Sequence, residues 1–179
     1  MSRKFMDRRI FLRKATLATL SVNGIAAHAS PPASRSLSLI HTHTGEQLTE
    51  TYFDSSGYVS ESLGRIDHFL RDFRTEEVHA IDVRVLDILH ELQAAIGHDA
   101  PYEIISGYRS PQTNAALRRN SSGVAEHSFH MQGRAIDVRL SGYSTSDLHQ
   151  RARTLARGGV GFYPRSDFVH LDSGPLRFW

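Results

Sequence analysis

Ser128-Phe129-His130-Met131-Gln132-Gly133-Arg134-Ala135-Ile136-Asp137 is the stretch around which this chain organises itself. Residues 134–140 read as a strand, and Gly133 lets the backbone turn tightly just before it. His130 therefore stands on a loop ahead of the strand, and Asp137, seven residues later, lies within it. Towards the C-terminus, Asp167-Phe168-Val169-His170 enters the second arm of a hairpin, so His170 can face the same cleft from a neighbouring strand. Two imidazoles and one carboxylate suit a divalent first-row metal, with zinc the first choice because it binds such nitrogen and oxygen sets tetrahedrally. Three protein ligands leave a fourth position for water, which then loses a proton near neutral pH. Asp167, three residues before His170, is expected to contact that water rather than the metal.

Working outward, residues 160–163 and 168–171 form two short strands around the Pro164-Arg165-Ser166 turn. Ser144 and Asp147 make a variant capping box for a helix reaching residue 156, broken by Gly158-Gly159. Residues 102–105 form a strand, and Ser110-Pro111, a cap followed by proline, opens a helix to about residue 119. Residues 120–123 are a polar loop. The clearest helix runs over 82–96: Asp82 can cap it, Val85, Leu89, Leu92 and Ile96 share a face, and Gly97 can end it in the left-handed conformation. A helix is also expected over 62–73, and a β-hairpin over 37–53 around Thr44-Gly45-Glu46. Helices mixed with short, hairpin-linked strands predict an α+β domain: a small antiparallel sheet with flanking helices.

The 179 residues fit one domain, and 40% hydrophobic content supports a packed core. No apolar run reaches transmembrane length. Zero cysteines exclude a disulfide framework, a thiolate metal site and a cysteine nucleophile. The net charge of +2 is misleading, because Arg3, Lys4, Arg8, Arg9, Arg13 and Lys14 face only Asp7 within residues 1–29. Without that segment the remainder carries a net −3, which removes the charge argument for nucleic-acid binding. The segment itself reads as an address. Asp7-Arg8-Arg9-Ile10-Phe11-Leu12 resembles the twin-arginine export motif, a short modestly hydrophobic stretch follows, and Ala27-His28-Ala29 is an A-x-A cleavage site. The expected organisation is a signal peptide at 1–29, a Pro/Ser linker at 30–36 and a periplasmic domain at 37–179.

The pattern S-x-H-x-x-G-x-A-x-D, followed by an acidic residue three positions before a last histidine, resembles the M15 zinc peptidases. Ser106-Gly107-Tyr108-Arg109-Ser110-Pro111, Glu126-His127-Ser128 and the stretch from Gly159 through Trp179 resemble their exported murein endopeptidase branch, the MepK type. The resemblance covers roughly residues 36–179. It implies the M15 fold, zinc held by His130, Asp137 and His170, and Arg109 near the scissile carbonyl, stabilising an oxyanion or holding a substrate carboxylate. It puts Asp167 at the general-base position, where many members have glutamate; Asp172 is the competing residue. The implied substrate is the peptide crosslink of peptidoglycan, either D-Ala–diaminopimelate (4-3) or diaminopimelate–diaminopimelate (3-3). The rivals are a D,D-carboxypeptidase or dipeptidase, and a catalytically silent zinc-stabilised domain that binds the wall. Nothing in the sequence requires more than a monomer.

Other residues read more plainly. Ser128 is expected to hydrogen-bond the site, and His127 to stand beside it or lie exposed. His41 and His43 alternate on a hairpin as strand residues rather than as a second metal pair. Tyr58, Tyr108, Phe162 and Tyr163 either line a groove or belong to the core.

Overall fold

The computed structural model describes residues 34–120 and 123–179. The export segment expected at 1–29 and most of the linker expected at 30–36 lie outside them. The domain begins before the residue 37 expected for it, because Arg35 and Ser36 already belong to β1 (Arg35–His41). Arg35 is drawn into the domain by Asp87, which accepts its guanidinium at 2.7 Å.

β1 pairs antiparallel with β2 (Gln47–Asp54), and β2 with the short β3 (Gly57–Tyr58). Then come α1 (Ser60–Phe69), α2 (Val83–Ile96), β4 (Tyr102–Ser106), α3 (Pro111–Asn120) and a 3-10 turn over Phe129–Gln132. β5 (Ala135–Leu140), α4 (Thr145–Leu155), β6 (Gly159–Tyr163), β7 (Phe168–Asp172) and β8 (Arg177–Phe178) complete the chain. The eight strands form one sheet in the order β3-β2-β1-β4-β5-β7-β6-β8. The α+β class holds. The sheet is wider than expected and mixed, because β1 runs parallel to β4 and β6 parallel to β8.

The caps of α2 behave as the sequence dictates. The Asp82 side chain accepts from Arg84 N, and Gly97 adopts φ 69°. By contrast, α1 stops at Phe69 rather than near residue 73. The Leu70 carbonyl is taken by Tyr108 N, and the Asp72 carboxylate by Ser110 N and Arg74 N. Residues 70–74 leave the helix to hold the loop that carries Arg109.

Strand alternation sorts the sheet into two faces. Ile136, Val138 and Leu140 of β5, Val169 and Leu171 of β7 and Val160 of β6 are buried in one core with Leu86, Leu89 and Leu92 of α2 and Leu148 of α4. The intervening residues, Asp137, His170, Gly161 and Tyr163, point to the opposite face.

Candidate metal centre and cleft

Two ladder registers build this face. Asp137 lies directly opposite His170 across β5 and β7, and Gly161 lies opposite His170 across β6 and β7. His130 is brought in by the 3-10 turn. Ser128, as expected, supports it by accepting from His130 N at 3.3 Å. The turn ends at Gly133 (φ 62°), where a Cβ would collide with the Ala80 carbonyl. The loop from Gly107 is stitched onto the same turn. His130 Nδ1 donates to the Gly107 carbonyl at 2.8 Å, and Arg109 N donates to the His130 carbonyl at 3.1 Å. Gly107 cannot carry a side chain, because a Cβ there would stand 2.6 Å from the Leu70 carbonyl oxygen.

His130, Asp137 and His170 converge as expected, all three buried. His130 Nε2 lies 3.2 Å from His170 Nδ1, Asp137 Oδ1 lies 2.8 Å from His170 Nδ1, and the third edge, His130 Nε2 to Asp137 Oδ1, is 3.3 Å. Ligand atoms about 2.0–2.1 Å from a tetrahedral zinc stand roughly 3.3–3.4 Å apart, so this triangle needs little adjustment. The far edges of the rings agree. His130 gives its Nδ1 proton to Gly107, and His170 Nε2 is held by Asp172 Oδ2 at 3.0 Å. With those tautomers fixed, two lone pairs face each other beside a carboxylate, a donor set that calls for a cation. Among the described residues, this is the group of three or more ligating side chains that could hold one.

The charges respond accordingly. Burial opposes ionisation of Asp137, but His130 and His170 outweigh it and hold its carboxyl well below the usual range. Burial pulls His130 down. Burial also opposes charging of His170, yet Asp137 and Asp172 raise it to about 9. Without a metal, a proton on His170 therefore satisfies the triad.

Arg109 reaches the cleft, with its guanidinium 3.6 Å from Asp137 Oδ2. Its side chain is only 11% exposed, and Nε has no hydrogen-bond partner among the described residues. Burial lowers its pKa, and Asp137 only partly offsets this. Its Nη atoms make only long hydrogen bonds, to Asn114 Oδ1 at 3.4 Å and Ser106 Oγ at 3.5 Å, where the side chain borders the cleft.

Asp167 is not where the expected base would stand. It occupies a turn at φ 53°, its carboxylate accepts from Thr145 Oγ1 at 2.5 Å and Arg139 at 3.4 Å, and it does not line the cleft. The left-handed turn carries its side chain away from the ligands. Asp172 is no substitute. It is fully buried behind His170, where it also accepts from Gly159 N, Gly174 N and the Arg177 guanidinium. Burial works against its ionisation, but His170, Gly174 and Arg177 hold it down. Asp172 thus orients the His170 ring. Among the described residues lining the cleft, Asp137 is the only carboxylate.

The cleft measures about 310 Å³. His127 is exposed and lines it, as do Arg177, Phe129, Tyr163, Phe168 and Trp179. Of the four aromatics considered from sequence, Tyr163 alone belongs here. Tyr58 donates to Asp87, Tyr108 is buried against His79, and Phe162 packs on the core and His149. His41 and His43 lie elsewhere, against Phe69 and Phe73. Sequence reading missed Arg177 and Trp179. Both follow β7 closely, but only the β6–β8 pairing turns them back over the site.

A family profile described as "Peptidoglycan L,D-endopeptidase MepK" (Peptidase_M15_2) matches residues 29–179. The chain belongs to the MepK family of M15 peptidases. One relative in this family, the peptidoglycan L,D-endopeptidase MepK of Escherichia coli K12, is 44% identical over 153 residues, covering 86% of this chain and 84% of its own. The probable peptidoglycan L,D-endopeptidase MepK of Haemophilus influenzae is 39% identical over 158 residues, covering 88% and 85%. The MepK match spans the whole of the site, from Gly107 through Trp179.

Proposed function

We propose that this protein is a zinc-dependent endopeptidase that cuts peptide crosslinks of peptidoglycan at an L,D bond, the diaminopimelate–diaminopimelate (3-3) crosslink. The observation carrying the reading is the buried His130–Asp137–His170 triangle beneath an open, cation-lined cleft. The relatives' description as L,D-endopeptidases supports the 3-3 bond over the 4-3 bond. Bound there, zinc would supply a Lewis acid and a water acidic enough to attack an amide near neutral pH.

The protein's own groups do the rest. Gly107 and Asp172 hold the two imidazoles in their ligating tautomers, and Asp137 contributes the one negative charge. Arg109, whose Nη atoms make only long hydrogen bonds to Asn114 and Ser106, offers its guanidinium to the scissile carbonyl oxygen as it gains charge. In both crosslink types the scissile nitrogen belongs to a D-centre that bears a carboxylate, which suits a cleft lined by Arg109, Arg177 and His127. We assign no part in the reaction to Asp167, because its carboxylate is bonded to Thr145 and Arg139. The twin-arginine signal and the periplasmic location belong to the same proposal. The family match begins at Ala29, the last residue of Ala27-His28-Ala29, which supports a junction between signal and domain there.

The test is digestion of purified 3-3 and 4-3 muropeptide dimers, read by chromatography and mass spectrometry with chelator and zinc-restored controls. The expected result is loss of 3-3 dimers with a matching gain of monomers, stopped by chelator and restored by zinc. Intact dimers with shortened stems would point to a carboxypeptidase instead. Intact dimers from a folded, zinc-loaded sample would leave a binding domain.

A further inference from the structure

Trp179 lies over the site because Gly161, the β6 residue opposite His170, has no side chain. A Cβ at Gly161 would stand 2.6 Å from the indole. The indole rests beside the His170 ring, with centroids 5.3 Å apart. Its backbone is tied back at both ends, Trp179 N to the Val160 carbonyl and the Trp179 carbonyl oxygen to Phe162 N at 2.9 Å. From this position Nε1–H donates to the Tyr163 hydroxyl oxygen at 2.9 Å.

That bond has a direction. An indole N–H is a donor only, so the Tyr163 oxygen must accept. The phenol's own hydrogen is then left over, and no acceptor for it is found among the described residues. Tyr163 is held on its ring face by Phe168, its cross-strand partner, with centroids 4.6 Å apart and planes 17° from parallel. Its carbonyl is closed into the 163–166 turn by Ser166 N. Tyr163 sits two residues along β6 from Gly161 and on the same face, one diagonal step from His170, and it lines the same cleft as Arg109.

We propose that Tyr163 is a further catalytic residue, whose hydroxyl donates a hydrogen bond to the scissile carbonyl oxygen as that oxygen becomes negative, with Trp179 as the positioning residue that keeps the phenol's lone pair engaged and its hydrogen directed to the substrate. The inference rests on the endopeptidase reading above. No proton is transferred: the phenol remains neutral and stabilises charge alongside Arg109. A fixed donor of this kind acts mainly in the transition state, so it governs kcat more than KM.

The experiment compares Tyr163→Phe, Trp179→Phe and the double variant on 3-3 dimers, with zinc content and thermal midpoint measured on each. Tyr163→Phe removes one oxygen and keeps the Phe168 contact. It is expected to lower kcat about a hundredfold, with KM changed only a few-fold and zinc content unchanged. Trp179→Phe keeps an aromatic ring on Gly161 but loses the donor, and is expected to lower kcat roughly five- to tenfold. The double variant should fall no further than Tyr163→Phe alone. If Trp179 acted only as a packing wall, its effect would persist in the Tyr163→Phe background, and the positioning role would be overturned. A Tyr163→Phe enzyme within about threefold of the parent kcat would overturn the catalytic role.

A binding measurement separates this idea from the reaction assigned above. A phosphinate stem-peptide analogue presents a tetrahedral anionic centre and can be titrated into the zinc-loaded protein by calorimetry. Trp179 is the single tryptophan of the chain, so its emission reports the same event from within the cleft. Weaker binding by Tyr163→Phe in a protein that cleaves no dimer would sustain the donor role and remove the L,D-endopeptidase reading. Equal binding by the two proteins would remove the donor role, whatever the protein cleaves.

Discussion

At the scale of single residues, the site is defined by which atom of each ring faces inward. His170 could bind a metal through either nitrogen, and Asp172 on its Nε2 decides that Nδ1 joins His130 and Asp137. Asp172→Asn keeps the volume but gives up the charge that anchors the imidazole. It should weaken zinc affinity about 10- to 100-fold, measured by competition with a chromophoric chelator. If affinity is unchanged while turnover is lost, Asp172 acts in the chemistry and its role as an orienting group is wrong. That His130, Asp137 and His170 converge was readable from spacing, because their side-chain types form a chemically specific donor set. The residue expected to act as base was not, because spacing says nothing about χ angles: three positions from His170, Asp167 enters a left-handed turn and leaves with its side chain bonded to Thr145.

Among the elements, α2 shows local sequence and tertiary contacts agreeing. Asp82 caps the helix through Arg84 N, pairs with the Arg84 side chain and accepts from Ser173 Oγ at 2.8 Å, which links the helix start to the strand end behind the site. Burial opposes its ionisation, but those donors hold its pKa down to about 2. A carboxyl depressed in the folded state stabilises the fold above its unfolded pKa of about 3.9, and that contribution is lost as pH falls through about 2. Acid titration followed by circular dichroism should therefore show Asp82→Ala unfolding at higher pH than the parent. At neutral pH its stability should be lower by about 1 kcal/mol, the usual worth of an N-cap. Identical acid midpoints would mean that the cap contributes nothing in this range. In α1 the local signal lost. Its apolar spacing ran on towards residue 73, but Leu70 and Asp72 found better partners in the 107–110 loop.

For the whole molecule, the sheet and the candidate metal centre form one unit, since His130, Asp137 and His170 come from the 3-10 turn, β5 and β7. On the zinc reading proposed above, the ion would bind the folded triad and not the scattered side chains of the unfolded chain, so it should stabilise the domain by about 4 kcal/mol at a thousandfold excess over Kd. For a domain of this size, chelation should lower the thermal midpoint by roughly 10 °C, reversibly on adding zinc, as calorimetry would show. An unchanged midpoint would mean that the triad does not take up the ion.

The sequence by itself determined the α+β class, the capped helix α2, the convergent histidine–aspartate–histidine group and the turn glycine at 133. Each of these is a short-range matter of periodicity, backbone freedom or ligand chemistry. Tertiary structure alone decided the mixed order of the sheet, the removal of Asp167 from the cleft, the placing of Asp172 behind His170, and the return of Arg177 and Trp179 over Gly161. Those outcomes depend on which strands pair and in what register. Pairing is set by burying one face of the longer strands against the helices, an energy summed over the whole fold that no local stretch carries.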